Sequence, residues 1–331
     1  MSKRILLIGG GGFIGHHLAQ ALSVLDNEVF VLDSFEVNNF KAKLFCDDSK
    51  RCTDFLLERA NMLKTYCSNI YTHDARDYHK VSQVVEDCKP EIIIHLAAVS
   101  HANKSNKDPH STFDHSFRTL ENALDAAKSE INVGHFIYFS SSMVYGNFTS
   151  NWAEEGDKLN PIGIYGALKK CGEILVKSYG DTLDLPYTII RPSALYGPRC
   201  VSRRVIQAFI ENILDGKEIK VQGDGSDKLD FTYIDDLVQG IVKVIGNKKA
   251  IGGTFNITYG EGRSINDLIN ILRKELGFFD VAYIERDKLM PKRGSLSIEK
   301  ARKLLGYNPK YKLERGVPEY VRWYKTCLGR G

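Results

Sequence analysis

A chain of 331 residues can bury a large core and favours two domains, or one large domain with an added lobe. Lys and Arg number 45 against 41 Asp and Glu, and the only basic runs are short ones such as Arg203-Arg204 and Lys248-Lys249, which argues against a nucleic-acid-binding surface. The seven cysteines form no C-x-x-C pair and no metal-ligand spacing, and no apolar run approaches membrane-spanning length, so the expectation is a metal-free, soluble protein of a reducing cytoplasm.

In chain order, Ile5 to Ile8 predicts a buried strand that runs into four glycines, Gly9 to Gly12, and then an amphipathic helix over 14–25. Val29 to Leu32 predicts a second strand closed by Asp33, followed by helical periodicity over 53–66 and a short strand at Ile70 to Thr72. A helix over 81–88, a strand from Ile92 to Leu96, a polar helix over 112–129 and a strand from His135 to Phe139 come next. The helix carrying Tyr165 and Lys169 leads to a strand from Tyr187 to Ile190. Strands alternating with helices predict an α/β protein with a Rossmann-type doubly wound parallel sheet. After Arg191-Pro192 the texture shifts to longer loops and more glycines, which predicts a smaller C-terminal α/β lobe over 191–331 beside a domain spanning 1–190. A helix near 234–247 could return to the first domain, and 297–327 reads as helical pieces around Gly306 and Pro309.

Gly9-x-x-Gly12-x-x-Gly15, with Phe13 and Ile14 inside it, sits between a buried strand and a helix. Glycines there permit a tight turn and let a pyrophosphate approach the helix N-terminus, so the segment reads as a dinucleotide cradle. Asp33 falls where a carboxylate accepts hydrogen bonds from an adenosine ribose and repels a 2′-phosphate, which predicts NAD rather than NADP; the alternative is an aspartate that merely starts a turn with Ser34. Tyr165 and Lys169 lie four residues apart on one helical face, where an ammonium would lower the pKa of the phenol and make it an acid/base candidate.

These segments, together with His95-Leu-Ala-Ala98, Ser140-Ser-Ser-Met-Val-Tyr-Gly146, Arg191-Pro-Ser-Ala-Leu-Tyr-Gly-Pro-Arg199 and Asp230-Phe-Thr-Tyr-Ile-Asp-Asp236, resemble the extended short-chain dehydrogenase/reductase family, specifically its NAD-dependent nucleotide-sugar epimerase/dehydratase group. The resemblance implies that Asp74 and Ala75 meet the adenine and that Leu96, Ala97, Ala98 and Pro192 line the cofactor. It implies a general base in Tyr165, a ribose and pKa partner in Lys169, and a sugar-orienting hydroxyl in Ser141. Ser100, His101, Ser142 and Met143 would lie at the sugar, and Arg199, Arg203, Arg204, Lys228, Lys292 and Arg293 are the cations available for the substrate diphosphate, with Lys292-Arg293 matching a segment where the family often holds an arginine against it.

The chain departs from the group's pattern at several points. Met143 stands where 4,6-dehydratases carry an acid, yet Leu96-Ala-Ala-Val-Ser-His-Ala-Asn-Lys-Ser105 resembles a dehydratase loop, in which His101 either faces the sugar or caps its own turn. Ala194 and Leu229 replace an asparagine and an arginine that commonly meet the diphosphate. The resemblance therefore implies a nucleotide-sugar 4-epimerase of the UDP-glucose or UDP-glucuronate type, a homodimer built on the helices near 112–129 and 163–178. The alternatives are a 4,6-dehydratase with a non-standard acid, a 4-keto-sugar reductase, and a non-catalytic protein that binds NAD or a sugar nucleotide.

Overall fold

The computed structural model describes residues 2–37, 39–40, 50–99 and 102–327. Its centre is a sheet of seven strands: Arg4–Ile8, Glu28–Leu32, Asn69–Tyr71, Ile92–His95, His135–Phe139, Tyr187–Arg191 and Gly253–Asn256. Across the sheet they run 253–256, 187–191, 135–139, 92–95, 4–8, 28–32 and 69–71, and every neighbouring pair is parallel. Ile5 to Ile8 are all 0% exposed, because helices cover both faces and a central parallel strand must be apolar on both sides. Successive side chains feed opposite layers. Ile5 and Leu7 pack with Leu18 and Leu22 of the Phe13–Val24 helix and with Phe55 and Leu63 of the Lys50–Tyr66 helix. Leu6 and Ile8 pack with Val81 and Val84 of Tyr78–Cys88, Leu120 and Leu124 of Thr119–Ser129, and Val176 of Gly163–Leu183.

Strands 4–8 and 92–95 are adjacent, yet their following crossovers cover opposite faces. A crevice therefore opens at their C-terminal ends, the place where ligands bind in open α/β sheets.

Two expectations need correction. The polar stretch 112–129 is not one α-helix: Pro109–Phe113 is α-helical, Asp114–Arg118 forms a π turn, and Thr119–Ser129 resumes the α-helix. An inserted residue of this kind shifts the helical register at one point only, and a polar stretch holds too few apolar residues for periodicity analysis to locate it. A cut at residue 190 also fails to isolate the sheet, because Gly253–Asn256 pairs with 187–191 as its edge strand. That strand is four residues beginning in glycine, too short for its alternation to be read. Ile234, Leu237 and Ile241 of the Ile234–Val244 helix join the same core as Leu18 and Leu22.

The rest of the C-terminal half forms small sheets: 219–222 pairs with 281–284 in parallel and 228–230 with 262–264 antiparallel. The helix Ile265–Leu276 starts with a capping box between Ser264 and Asp267. Buried Asp230 clasps this region by accepting from the Leu296 amide at 3.0 Å, the Thr258 hydroxyl at 3.0 Å and the Gly260 amide at 3.1 Å. Among the described residues no helix is long and apolar enough to cross a membrane.

Candidate active site

The three fingerprint glycines are required for different reasons. Gly9 has φ +84°, and a Cβ there would lie 2.5 Å from the backbone nitrogen of Ala97. The close crossing exists because the amides of Leu96 and Ala97 both donate to the Ile8 carbonyl, at 2.8 and 3.0 Å. At Gly15 a Cβ would meet the Gly10 carbonyl oxygen at 2.3 Å, so this glycine lets the helix pack on the loop. Gly12 is unlike either, with φ −75° and no neighbour nearer to a Cβ than the Gly9 carbonyl oxygen at 3.3 Å. The folded chain itself demands glycine less at 12 than at 9 or 15. The space a Cβ would take belongs to a groove lined by Gly9, Phe13, Ile14, Asp33 and Ala75, at the N-terminus of the 13–24 helix. These residues fit a dinucleotide pyrophosphate.

The Asp33 carboxylate accepts from the Gly11 amide at 2.8 Å and the Phe35 amide at 2.7 Å, and so ties the glycine loop to the second strand. Burial pushes its carboxyl up, against those two hydrogen bonds. Asp74 lines the groove, but its carboxylate already accepts from Arg76, through the backbone nitrogen at 2.8 Å and Nε at 2.9 and 3.0 Å. Burial would raise its pKa, and the Arg76 contacts outweigh that and hold it low. The Ala75 carbonyl accepts from the Asn122 amide at 2.9 Å, which pins the turn. Leu96, Ala97 and Ala98 line the groove, and Leu96 and Ala98 continue into a neighbouring cleft with Pro192.

That neighbouring cleft, about 370 Å³, contains Ser141, Tyr165 and Lys169 together. Ser141 caps the single helical turn Ser142–Tyr145, its hydroxyl accepting from the Met143 amide at 3.2 Å, and it lines the cleft with Tyr165, whose phenol it pulls down. The expected effect of Lys169 on the tyrosine is not what the structure shows. Burial raises the Tyr165 phenol, and the groups pulling it down are Arg204 and Ser141. Lys169, 4% exposed, donates to the Phe139 carbonyl at 2.6 Å and sits 5.0 Å over the Tyr138 ring. Burial brings its pKa down to about 7, with Glu173 opposing. An amine buried this deeply is only partly charged at neutral pH, which sequence spacing could not reveal.

Ser142 and Met143 also line the cleft, the Ser142 hydroxyl donating to the Ser193 hydroxyl at 3.2 Å. Of the six cations available for a diphosphate, Arg203 and Arg204 line the cleft, and so does Arg293. Its Nε is buried without a partner, and burial lowers its pKa to about 10. Asp227, the carboxylate that opposes the shift, is engaged by Arg286 at 2.6 Å. Arg199 lies instead behind the glycine loop: its Nε donates to His16 Nε2 at 3.1 Å, and Glu58 is 3.7 Å from its guanidinium. Its φ of +60° turns the chain there, so counting from the Gly197-Pro198 motif points the side chain the wrong way. Lys292 is exposed, its amide donating to Asn147 Oδ1 at 2.8 Å, outside the cleft lining. Ser100 and His101 lie outside the described residues.

Comparison with known proteins agrees with this geometry. The model of the NAD dependent epimerase/dehydratase family matches residues 5–258. The chain belongs to this family. It is 30% identical over 334 residues to an uncharacterized UDP-glucose epimerase of Bacillus subtilis, covering 99% of both chains. It superposes with TM-score 0.88 and 29% identity on a UDP-glucuronic acid 4-epimerase of Bacillus cereus solved with UDP-glucuronic acid and NAD, covering 98% of this chain and 99% of that one. A dTDP-glucose 4,6-dehydratase of Streptomyces venezuelae with NAD bound reaches TM-score 0.86 at 26% identity, covering 98% of both chains. Backbone shape thus places this epimerase/dehydratase in its family and with NAD as its cofactor, but does not separate epimerase from dehydratase.

Sequence reasoning missed several residues of this epimerase/dehydratase. Arg59, 2% exposed, lines the groove at the glycine loop while donating to the Arg199 carbonyl at 2.9 Å. His115 and Thr119 reach the same groove from the π turn and the helix behind it. None of the three belongs to a motif. Arg204, weighed only as one of several cations, lines both groove and cleft.

Proposed function

We propose that the enzyme is a nucleotide-sugar 4-epimerase of the UDP-glucose or UDP-glucuronate type. One observation carries the choice: among the described residues the cleft around Tyr165 is lined by no aspartate or glutamate. Dehydration across C5 and C6 needs an acid and a base besides the group that oxidises C4, and neither Met143 nor Ser142 can serve. Reversible oxidation at C4 needs only the phenol.

Bound NAD supplies the hydride acceptor and returns the same hydride. Tyr165 takes the proton of the C4 hydroxyl and gives it back after the keto sugar has turned, so no net reduction occurs. Ser141, which lines the cleft with Tyr165, orients the sugar oxygen between them. Lys169, in the same cleft and with a pKa brought down to about 7 by burial, would hold a ribose hydroxyl of the cofactor, while Arg204 and Ser141 favour the phenolate. Arg293 and Arg204 hold the substrate diphosphate, with the buried Nε of Arg293 gaining the partner it otherwise lacks. Relatives with the same fold bind UDP-sugars, which supports the base assignment.

The same reading includes a homodimer. Phe113, 40% exposed, and Ile174, 57% exposed, are apolar side chains on the two stretches expected to pair with a second copy. Free cysteines among the described residues accord with a reducing cytoplasm.

Incubation of purified enzyme and NAD with UDP-glucose, UDP-glucuronate, dTDP-glucose and GDP-mannose, followed by proton NMR, should yield a C4-inverted sugar from at least one UDP-sugar. Failure to invert any of them, or solvent deuterium at C5 with loss of water, would overturn the reading. Light scattering should give twice the chain mass; a monomer would sink the dimer.

A further inference from the structure

Tyr165, Lys169 and Glu173 follow one another at four-residue intervals on the 163–183 helix, so the three side chains stack along one face. Glu173 is 1% exposed and lines neither the groove nor the cleft. Its carboxylate is clamped from two sides. Arg191 donates through Nε at 2.9 Å and NH2 at 2.7 Å, one bond to each oxygen, and the Ser140 hydroxyl donates to Oε1 at 2.5 Å. Arg191 in turn donates to the Tyr145 hydroxyl at 2.8 Å, which donates to Asn256 Oδ1 at 2.8 Å in the last strand of the sheet.

Stability is a poor account of this pair. Desolvating a carboxylate and a guanidinium costs several kcal/mol each, and well-packed apolar side chains commonly serve a core as well or better. What the pair does supply is a negative charge of fixed position one helical turn beyond Lys169. The other titratable groups facing Lys169 carry no charge near neutrality. Burial holds the Tyr138 phenol, from strand 135–139, well above its usual range, and holds His95, from strand 92–95, at about 3. Burial likewise raises Tyr165 on the same helix. Glu173 is the one group that counters the burial of the lysine.

We propose that Glu173 is a positioning residue for the epimerase reaction: clamped by Arg191 and Ser140, its carboxylate one helical turn away raises the share of Lys169 that is an ammonium beside Tyr165. The assignment rests on the epimerase reading for its catalytic meaning, while the charge coupling itself is measurable without turnover. Glu173 touches neither sugar nor cofactor groove and acts only through the lysine.

Two variants test it. Glu173→Gln keeps the shape and removes the charge, but strands Arg191 as a buried cation and can unfold the protein for that reason alone. The double variant E173Q/R191M removes both charges and leaves no such orphan. Lysine methylene carbons labelled with 13C, with the Lys169 signal assigned by its loss in K169R, report the titration directly by NMR. In both variants the Lys169 midpoint should fall below the wild-type value, and the alkaline limb of the pH profile for C4 inversion should move to lower pH with it. At pH 7.5 a tenfold loss of inversion rate corresponds to a midpoint lowered by about one pH unit. A folded double variant with an unshifted lysine titration and an unshifted alkaline limb overturns the proposal. If wild-type enzyme inverts no sugar but the lysine midpoint still follows Glu173, the epimerase reading fails and the coupling between Glu173 and Lys169 stands.

Discussion

Arg293→Met should make the protein more stable and a worse binder of its substrate. The guanidinium has a buried, unpartnered Nε, and its pKa is brought down to about 10, chiefly through burial. At about 1.4 kcal/mol per pH unit that depression corresponds to roughly 3 kcal/mol against the charged form, an upper bound because part of the side chain remains exposed. A buried nitrogen without a partner costs about 1–3 kcal/mol by a separate route. The folded pKa lies below the unfolded one, so the cost is felt in full below about pH 10 and is relieved only as the pH rises from there toward the ordinary value of an unfolded arginine. Unfolding entropy of about 2.1 cal/mol/K per residue over 331 residues gives about 0.7 kcal/mol/K, so recovering 1–3 kcal/mol raises Tm by roughly 1–4 °C. Loss of a charge-assisted hydrogen bond to the diphosphate, about 1.5–3 kcal/mol, weakens UDP by roughly 10- to 150-fold. Thermal unfolding by circular dichroism and calorimetric titration with UDP read the two effects separately. A variant that melts lower than the parent, or that binds UDP as tightly, refutes the reasoning.

Tyr165→Phe should bind NAD normally and lose about 10²- to 10⁴-fold in kcat for inversion, measured by NMR on the UDP-sugar that turns over; full turnover would remove the phenol from the mechanism. Gly12→Ala and Gly9→Ala should separate binding from folding. The first places its methyl group in the groove, so it should keep the parental Tm and lose at least about tenfold in NAD affinity by fluorescence titration. The second collides with the Ala97 backbone at φ +84° and should lower stability by about 1–3 kcal/mol in urea unfolding. Asp33→Asn should weaken NAD by about tenfold or more, because the amide has one acceptor oxygen in place of two for Gly11, Phe35 and a ribose; unchanged affinity would reduce Asp33 to a turn residue.

The amino-acid sequence by itself determined the strand–helix alternation, the glycine cradle, Asp33 at the end of the second strand, and a tyrosine and lysine on one helical face. Each of these is a local pattern: apolar periodicity, a turn chemistry, or a spacing along one element. The tertiary structure decided what depends on crossings between distant segments. It turned Arg199 behind the glycine loop and kept Arg293 in the cleft, although both come from motif-matched stretches, because a left-handed residue at 199 redirects the chain. It returned 253–256 to the sheet through pairing with 187–191, which no run of four residues announces. It also set the charge of Tyr165 and Lys169. Burial raised the phenol and lowered the amine, and the carboxylate opposing that burial, Glu173, owes its fixed position to Arg191 on a different strand. Spacing on a helix shows which side chains can meet, whereas their protonation depends on the solvent that the rest of the fold has excluded.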